Sequence, residues 1–431
     1  MRAGIRRGLL LLLSLSLTLT TACANEESHA PATAERRNRL YRPGEIRTSL
    51  YRNGVYHFGQ GEELDYYDAE KHADVRVCSR KNCRHQPWTE ETLPEERCDA
   101  YLPGSAVAVF AHQEYLYRIY NDERGFFYLW RSNPDGSEAK KLCSLDTEML
   151  VSGYLLDAGN LFYSSWKIEM STAEPSLPQP DEEAEPRSPV TGVTVSVHAL
   201  DLHSGEERVL GDSHSGKGLA INVLGAEDGR LFARLTQLTK DGENTRLESR
   251  PYAIDLRTGE EQELDWPWQT PYGEYRVMDG SVYAFQLQQI QRPWEEAGRF
   301  AYIPEPTIQL SGEVARYDMA SAACESLGRT SMPRECCTTF VGDWIFRREA
   351  DAKRVFLRSL RDGTESEISE AFLFQYTPLS IEDPWILVSL YDPDWTPSSG
   401  GQACLGEALL PIEDYRREDI RRLQRITPEN P

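Results

Sequence analysis

The sequence lacks a long hydrophobic run. The only extended apolar stretch, Leu9–Leu19, is followed by polar residues from Asn25 onward. A membrane-spanning helix needs about 20 consecutive apolar residues. The stretch is therefore too short for a span, and its length favours a secretory signal segment.

The sequence is also poor in basic residues. It contains 47 Lys and Arg against 69 Asp and Glu, with a formal net charge of −22. A surface this acidic repels phosphate backbones, so a nucleic-acid partner is not expected. The charge is consistent with solubility outside the cell, and a role in attracting cations or cationic ligands is the alternative.

Catalytic signatures are missing as well. There is no Gly-x-Ser-x-Gly elbow, no Ser-x-Asp-x-Gly-x-x-Trp repeat and no EF-hand loop. The "HSGKG" segment from His214 has neither the first glycine nor the spacing of a phosphate-binding loop. These gaps favour a binding protein over an enzyme without deciding the question.

A long 3.6-residue period is absent before Glu413, which excludes a helical protein. Two strand-like phrases recur instead. One is an aromatic pair of strands around a small turn, as in "SLYRNGVYHFG" from Ser49; the other is a hairpin with Asp and Gly, as in "ALDLHSGEERVL" from Ala199 and "AIDLRTGEEQEL" from Ala253. Together they give about four short strands per unit, the composition of a β-propeller blade.

The predicted fold is all-β, a single β-propeller with a short C-terminal helix. Seven blades fit the repeats best, with six or eight as alternatives and two stacked β-sandwiches as the rival fold. The predicted blades span approximately 45–78, 105–143, 150–210, 219–264, 272–327, 336–369 and 372–426.

The N-terminus predicts export. Arg2, Arg6 and Arg7 precede the apolar run, and small residues lead to Cys23, in the manner of a bacterial lipobox with Thr20 where Leu is usual. We expect a signal peptide at 1–22, a lipidated Cys23 with a flexible tether at 23–39, and a propeller at 40–427. Such an anchor holds a protein at the outer face of the cell membrane. Cleavage with release is the alternative.

The sequence has nine cysteines, and three of them cluster with a histidine: Cys78, Cys83, His85 and Cys98. Three interpretations stay open. The first is a disulfide with a third cysteine that is free or paired elsewhere, for example with Cys143. The second is a metal site, because three cysteines and one histidine form a known structural zinc set. The third is a group of reduced structural thiols.

The same cluster carries a family resemblance. The pattern Cys-x4-Cys-x-His followed by Cys-x-Ala-Tyr resembles uncharacterised β-propeller lipoproteins of Gram-positive, clostridial-type anaerobes, and it ends here in Ala100 and Tyr101. The "NPDGS" turn from Asn133 resembles Tol-associated propellers. This resemblance implies an exported propeller lipoprotein and implies no activity.

Aromatic residues in Pro-rich loops are the candidate ligand contacts. Trp266, Trp268 and Trp294 lie in "DWPWQTP" and "QRPWEEAG", and such rings suit sugars or peptides. We therefore expect a cell-surface binding or scaffold module for a protein, peptide or glycan. The alternative is an extracellular carbohydrate-active lyase or hydrolase with its site in the propeller channel.

Overall fold

Seven antiparallel sheets form the fold, each built from four consecutive strands, and one of them carries a fifth strand from the N-terminal part of the chain. The computed structural model describes residues 39–41, 47–59, 61–88, 91–147, 154–170, 190–241, 244–267, 273–286, 310–332, 340–348, 354–392 and 404–426. Four-stranded sheets repeated in this way around a central channel are a β-propeller. The predicted fold class and the count of seven blades are confirmed.

An N-terminal strand, β1 (Arg39–Tyr41), precedes the first blade. The strands of blades 1 to 4 then follow in chain order, four to a blade: β2 (Thr48–Tyr51), β3 (Gly54–Phe58), β4 (Leu64–Asp68), β5 (Ala73–Arg76); β6 (Ser105–His112), β7 (Tyr115–Asn121), β8 (Phe127–Ser132), β9 (Lys140–Leu145); β10 (Tyr154–Asp157), β11 (Asn160–Met170), β12 (Val190–Asp201), β13 (Glu207–Gly216); β14 (Leu219–Glu227), β15 (Arg230–Asp241), β16 (Asn244–Asp255), β17 (Glu261–Glu263).

Blades 5 to 7 have the same construction. Their strands are β18 (Gly273–Met278), β19 (Ser281–Gln286), β20 (Leu310–Asp318), β21 (Cys324–Met332); β22 (Phe340–Val341), β23 (Trp344–Arg348), β24 (Arg354–Ser359), β25 (Glu365–Ser369); β26 (Tyr376–Glu382), β27 (Trp385–Tyr391), β28 (Cys404–Pro411), β29 (Gln424–Arg425).

Two short helices lie within the described residues, α1 (Glu370–Gln375) and α2 (Ile412–Tyr415). The Ser369 hydroxyl caps α1 by accepting the Phe372 N–H at 3.2 Å. Helix α2 confirms the predicted C-terminal helix, and the chain then returns to the sheet as β29. Neither described helix is long and apolar enough to cross a membrane.

The hairpin turns follow from local chemistry. Asp201 shows the device: its carboxylate accepts the backbone N–H groups of His203 and Ser204 at 2.8 and 2.7 Å. These bonds, led by that from Ser204, lower the pKa of Asp201. Asp255 and Asp318 make the same turn in blades 4 and 5.

The core lies between neighbouring blades rather than inside each one. Blades 3 and 4, for example, share a buried cluster that includes Leu155, Val195, Ile221 and Leu231. A single sheet cannot bury both faces, so each blade depends on its neighbours.

The ring closes through side chains. All four strands of blade 1 come from the N-terminal part of the chain and all four of blade 7 from its end. Leu50 and Val55 of blade 1 pack with Leu387 and Leu409 of blade 7 in one buried cluster. Among the described strands, none is exchanged between these two sheets.

The first strands of the blades line the central channel, because β2 contacts β6, β10 contacts β14 and β14 contacts β18. The ring therefore has two ends. We call the end with the turns between first and second strands the turn face. The connection face is the opposite end, where the connections between blades and the loops between second and third strands lie.

Strand β1 adds a fifth strand to blade 3. It pairs antiparallel with β10, which places Arg39 opposite Leu156 and Tyr41 opposite Tyr154. Because β10 is the innermost strand of its blade, β1 lies on the channel side. The chain thus contacts blade 3 before it begins blade 1.

Candidate metal centre

The cysteine cluster lies in the connection from β5 to β6, between blades 1 and 2. The C-terminal part of the connection is hydrogen-bonded to both blades. The Leu64 N–H donates to the Ala100 carbonyl at 3.0 Å, and the Arg118 guanidinium donates to the Asp99 carbonyl at 2.9 Å. These bonds fix the position of Cys98, which is 1% exposed.

The structure brings all four predicted residues together. One ligand atom from each of Cys78, Cys83, His85 and Cys98 lies within 4.8 Å of the other three. His85 Nδ1 is 3.4 Å from the Cys98 sulfur, and the His85 backbone N–H donates to the Cys83 sulfur at 3.4 Å. The cluster could therefore bind a metal ion.

The 3.4 Å between His85 Nδ1 and the Cys98 sulfur is close to the spacing of a tetrahedral site, and the widest pair, within 4.8 Å, would close by about 1 Å on binding a metal. Zinc–sulfur bonds of about 2.3 Å and zinc–nitrogen bonds of about 2.0 Å separate ligand atoms by roughly 3.5–3.8 Å. A disulfide instead requires sulfurs about 2.05 Å apart. All the cysteines of the described residues are free thiols, including Cys143, the predicted distal partner.

The thiols differ in acidity. Burial raises the pKa of Cys98 to about 12. Burial also acts to raise the pKa of Cys83, but the His85 N–H and the neighbouring thiols outweigh it, so this pKa is lowered. Of these two thiols, Cys83 therefore holds negative charge more readily before a cation binds.

A ring of polar contacts supports the centre. The Trp88 indole N–H donates to the carbonyls of Cys98 and Tyr101 at 3.0 and 2.8 Å. The Asp99 carboxylate accepts the backbone N–H and the hydroxyl of Ser79 at 3.1 and 2.8 Å, and pairs with Arg80 at 3.3 Å. Contacts that orient metal ligands in this way also tune the metal.

Arg118 is a fully buried cation next to the centre. Burial lowers its pKa, while Tyr120, Asp99 and Cys98 act electrostatically in the opposite direction. Its Nε and Nη2 atoms have no hydrogen-bond partner. A divalent cation with three thiolates and a neutral histidine carries one negative charge, so Arg118 has the sign that balances a loaded centre.

Of the other predicted site residues, the structure describes Trp266. Trp266 is 5% exposed and stacks on Tyr275 in a core cluster, so its ring does not face solvent and its predicted ligand contact gains no support. Trp268, Trp294 and the predicted lipidation site Cys23 lie outside the described residues.

A hydrogen-bonded chain between blades 2 and 3 was not predicted. Ser196 Oγ is 2.9 Å from His198 Nε2, and His198 Nδ1 is 2.8 Å from Glu207 Oε1, which also accepts the Tyr163 hydroxyl. Ser165 lies 2.7 Å beyond Ser196. The signal in the sequence is the alternation Ser196-x-His198, which puts both side chains on one face of β12.

Hydroxyl, imidazole and carboxylate in series are the parts of an activated nucleophile. Here Ser165 is 0% and Ser196 is 6% exposed, between packed blades. A substrate cannot reach the hydroxyls in this arrangement, and the chain satisfies buried polar groups.

No family model matches the sequence, and no curated protein matches it. Among solved structures, the chain is similar to an acylaminoacyl peptidase from Pyrococcus horikoshii, with 11% identity and a TM-score of 0.45. The similarity covers 93% of this chain and 54% of the peptidase. It thus spans about half the length of that peptidase.

Two further propellers are similar. For TolB from Acinetobacter baumannii the identity is 14% and the TM-score 0.32, with 80% of this chain and 76% of TolB covered. For the propeller domain of the Trilobed protease from Pyrococcus furiosus the identity is 8% and the TM-score 0.40. The similarity covers 92% of this chain and 98% of that domain.

Proposed function

We propose that this chain is a lipid-anchored propeller at the outer face of the cell membrane, which binds or scaffolds a protein, peptide or glycan. We further propose that Cys78, Cys83, His85 and Cys98 hold a structural zinc ion. The anchor is proposed from the signal and Cys23 in the sequence. The zinc site is supported by the convergence of four ligand atoms within 4.8 Å.

Exposed apolar side chains on the connection face support the binding role. Phe126, in the loop between β7 and β8, is 56% exposed, and Leu93, in the cysteine connection, is 54% exposed. The bases of these two segments touch, since a β-carbon on Gly104 would lie 2.2 Å from the Asn121 carbonyl oxygen. Contiguous exposed apolar patches mark interaction sites, and we propose that Phe126 and Leu93 contribute to one.

The zinc proposal predicts a metal content that depends on the cluster alone. Wild type and Cys143→Ser should each hold about one zinc per chain, because Cys143 is a half-buried free thiol outside the cluster. Cys98→Ser should lose the metal. Elemental analysis with thiol counting before and after chelation measures both.

His85→Gln provides a second variant if Cys98→Ser does not fold, because His85 is exposed and its replacement leaves the core intact. It should bind zinc more weakly than wild type. Retention of full metal content by both variants, or sulfurs found bonded in pairs with no metal, would overturn the zinc assignment.

The binding proposal predicts where a partner lies. A photo-cross-linking amino acid at Phe126 should give adducts on intact cells, whereas the same group at Val209 should not. Val209 is a matched control because it is 49% exposed on β13, away from that loop. Mass spectrometry of the adducts distinguishes protein from glycan, and equal labelling at the two positions would contradict a partner on this face.

The enzymatic alternative makes a different prediction. A lyase or hydrolase would release unsaturated or reducing ends from extracellular polysaccharides at a rate proportional to the purified chain. The position of β1 beside the channel edge of blade 3 argues against a channel site, so we favour the binding role.

A further inference from the structure

The pairing of β1 sets the direction in which the chain enters the ring. Arg39 lies opposite Leu156, close to the turn at Ala158 and Gly159 that joins β10 to β11. Tyr41 lies opposite Tyr154, the first residue of β10. Strand β1 therefore runs from the turn face to the connection face, and its first residue, Arg39, lies at the turn face.

The C-terminal end of the cysteine connection and Phe126 belong to the other end. The connection leads into Ser105, where β6 starts, and inner strands start at the connection face. Phe126 precedes β8 in a loop between second and third strands, which lies at the same end. The point of entry of the chain and the proposed binding surface are thus on opposite faces.

We infer that β1 orients the propeller on its anchor, with the turn face towards the membrane and the connection face, with Phe126, pointing outward. This inference rests on the proposed lipid anchor at Cys23. Without β1, the chain would leave the ring at blade 1 from the connection face, because β2 also starts there. The pairing of residues 39–41 with β10 thus moves the point where the chain enters the ring from the connection face to the turn face.

The length of the tether makes the orientation a strong bias. Fifteen residues, 24–38, lie between Cys23 and Arg39, and the chain from Cys23 to Arg39 extends to roughly 55 Å at most and spans roughly 22 Å on average. Strand β7, seven residues long, covers roughly 23 Å from one face to the other. A path around the outside of blade 3 also crosses its five strands, which adds roughly 19 Å. An anchor at the turn face therefore reaches the connection face only when the tether is extended to about twice its average span.

Blade 2 offers a matched pair of reporter positions. Glu114 and Glu123 are both exposed glutamates at the two ends of β7, Glu114 at the turn face and Glu123 at the connection face. A dye can be attached to an azide-bearing amino acid at either position in the full chain, which leaves the native cysteines untouched. The lipidated chain is then bound to phosphatidylcholine vesicles that contain a quenching lipid.

We expect the dye at position 114 to be quenched at least about twofold more than the dye at 123, given the roughly 23 Å between them. Replacing residues 39–41 by Gly-Ser-Gly should abolish or reverse the difference. The same replacement at residues 31–33 should leave it unchanged. Equal quenching at 114 and 123 in wild type, or a difference that survives loss of 39–41, would overturn the inference.

A second arm separates this result from the anchor itself. The chain is held on nickel-chelating lipid through an N-terminal polyhistidine sequence, so it binds whether or not Cys23 is lipidated. If the natural chain fails to sediment with vesicles, the proposed anchor is wrong, and the nickel-lipid arm still decides the orientation.

Discussion

Asn82 and His85 have positive φ angles of 61° and 50°, and these two residues make the metal centre geometrically feasible. In an extended chain, Cys83 and His85 would lie on the same side of the backbone. Residues 79–82 would then carry Cys78 away from both. Left-handed backbone at two positions folds the segment back on itself. Asn and His adopt this conformation several-fold more often than most other non-glycine residues.

Glu207 is the residue on which the chain between blades 2 and 3 depends. Burial acts to raise the pKa of Glu207. Hydrogen bonds from His198 and Tyr163 lower it by more than burial raises it, so the pKa lies below the ordinary value. Burial and the Glu207 carboxylate in turn raise the pKa of Tyr163. The ionised carboxylate is therefore the stabilising form.

We predict that Glu207→Gln destabilises the protein by about 1–3 kcal/mol at neutral pH, the usual cost of disrupting a buried hydrogen-bonded charge. Because the folded-state pKa is depressed, the wild-type advantage is fully present above the unfolded pKa of about 4.3. It is lost as the pH falls through the folded-state pKa. Denaturant unfolding at a series of pH values measures the difference.

Glu206→Gln is the control, because Glu206 is its exposed neighbour on the same turn. It should change stability little at any pH. A Glu207→Gln effect that is independent of pH down to the acid transition would show that the charge of Glu207 is not what stabilises this interface.

At the scale of elements, the cysteine connection is packed against a turn of the next blade. Gly136, in the turn between β8 and β9, has φ of 86°. A β-carbon there would lie 2.6 Å from the Val77 carbonyl oxygen and 3.1 Å from the Asp99 side chain. The turn and the connection therefore hold each other in place.

We predict that Gly136→Ala is destabilising by about 1–3 kcal/mol more than Gly125→Ala, the range typical of overpacking. Gly125 is a matched control since its φ is 83° and nothing lies within 4 Å of its would-be β-carbon. Both substitutions carry the same backbone strain, so the difference in thermal stability isolates the clash. Equal losses of thermal stability would mean that the connection shifts to accommodate the added β-carbon at position 136.

The elements were largely predictable because hairpin chemistry is local. Asp201, Asp255 and Gly205 could be placed in turns from their neighbours alone, and the repetition of such turns gave seven blades. The convergence of Cys98 with His85 was only one of three interpretations, because it depends on how 12 intervening residues fold. The pairing of β1 with blade 3 has no local signal, since three residues form it across more than 100 positions.

At the scale of the whole molecule, the metal centre lies outside the seven sheets. We predict that chelation frees the connection and leaves the ring assembled. Hydrogen exchange should increase around Cys83 and Trp88, while the buried strands of blade 4, such as β14, stay protected. Loss of protection throughout the ring would show instead that the centre is required for folding of the entire propeller.

The attachment of β1 also decides how the molecule carries mechanical load. A pull on the tether reaches the hydrogen bonds between β1 and β10 first, and it acts along the strands, so the three pairs are stressed together. The closing contact of blades 7 and 1, where only side chains meet, lies beyond that clamp. Drag on the propeller would therefore be borne by blade 3, and the contact that closes the ring would be spared that load.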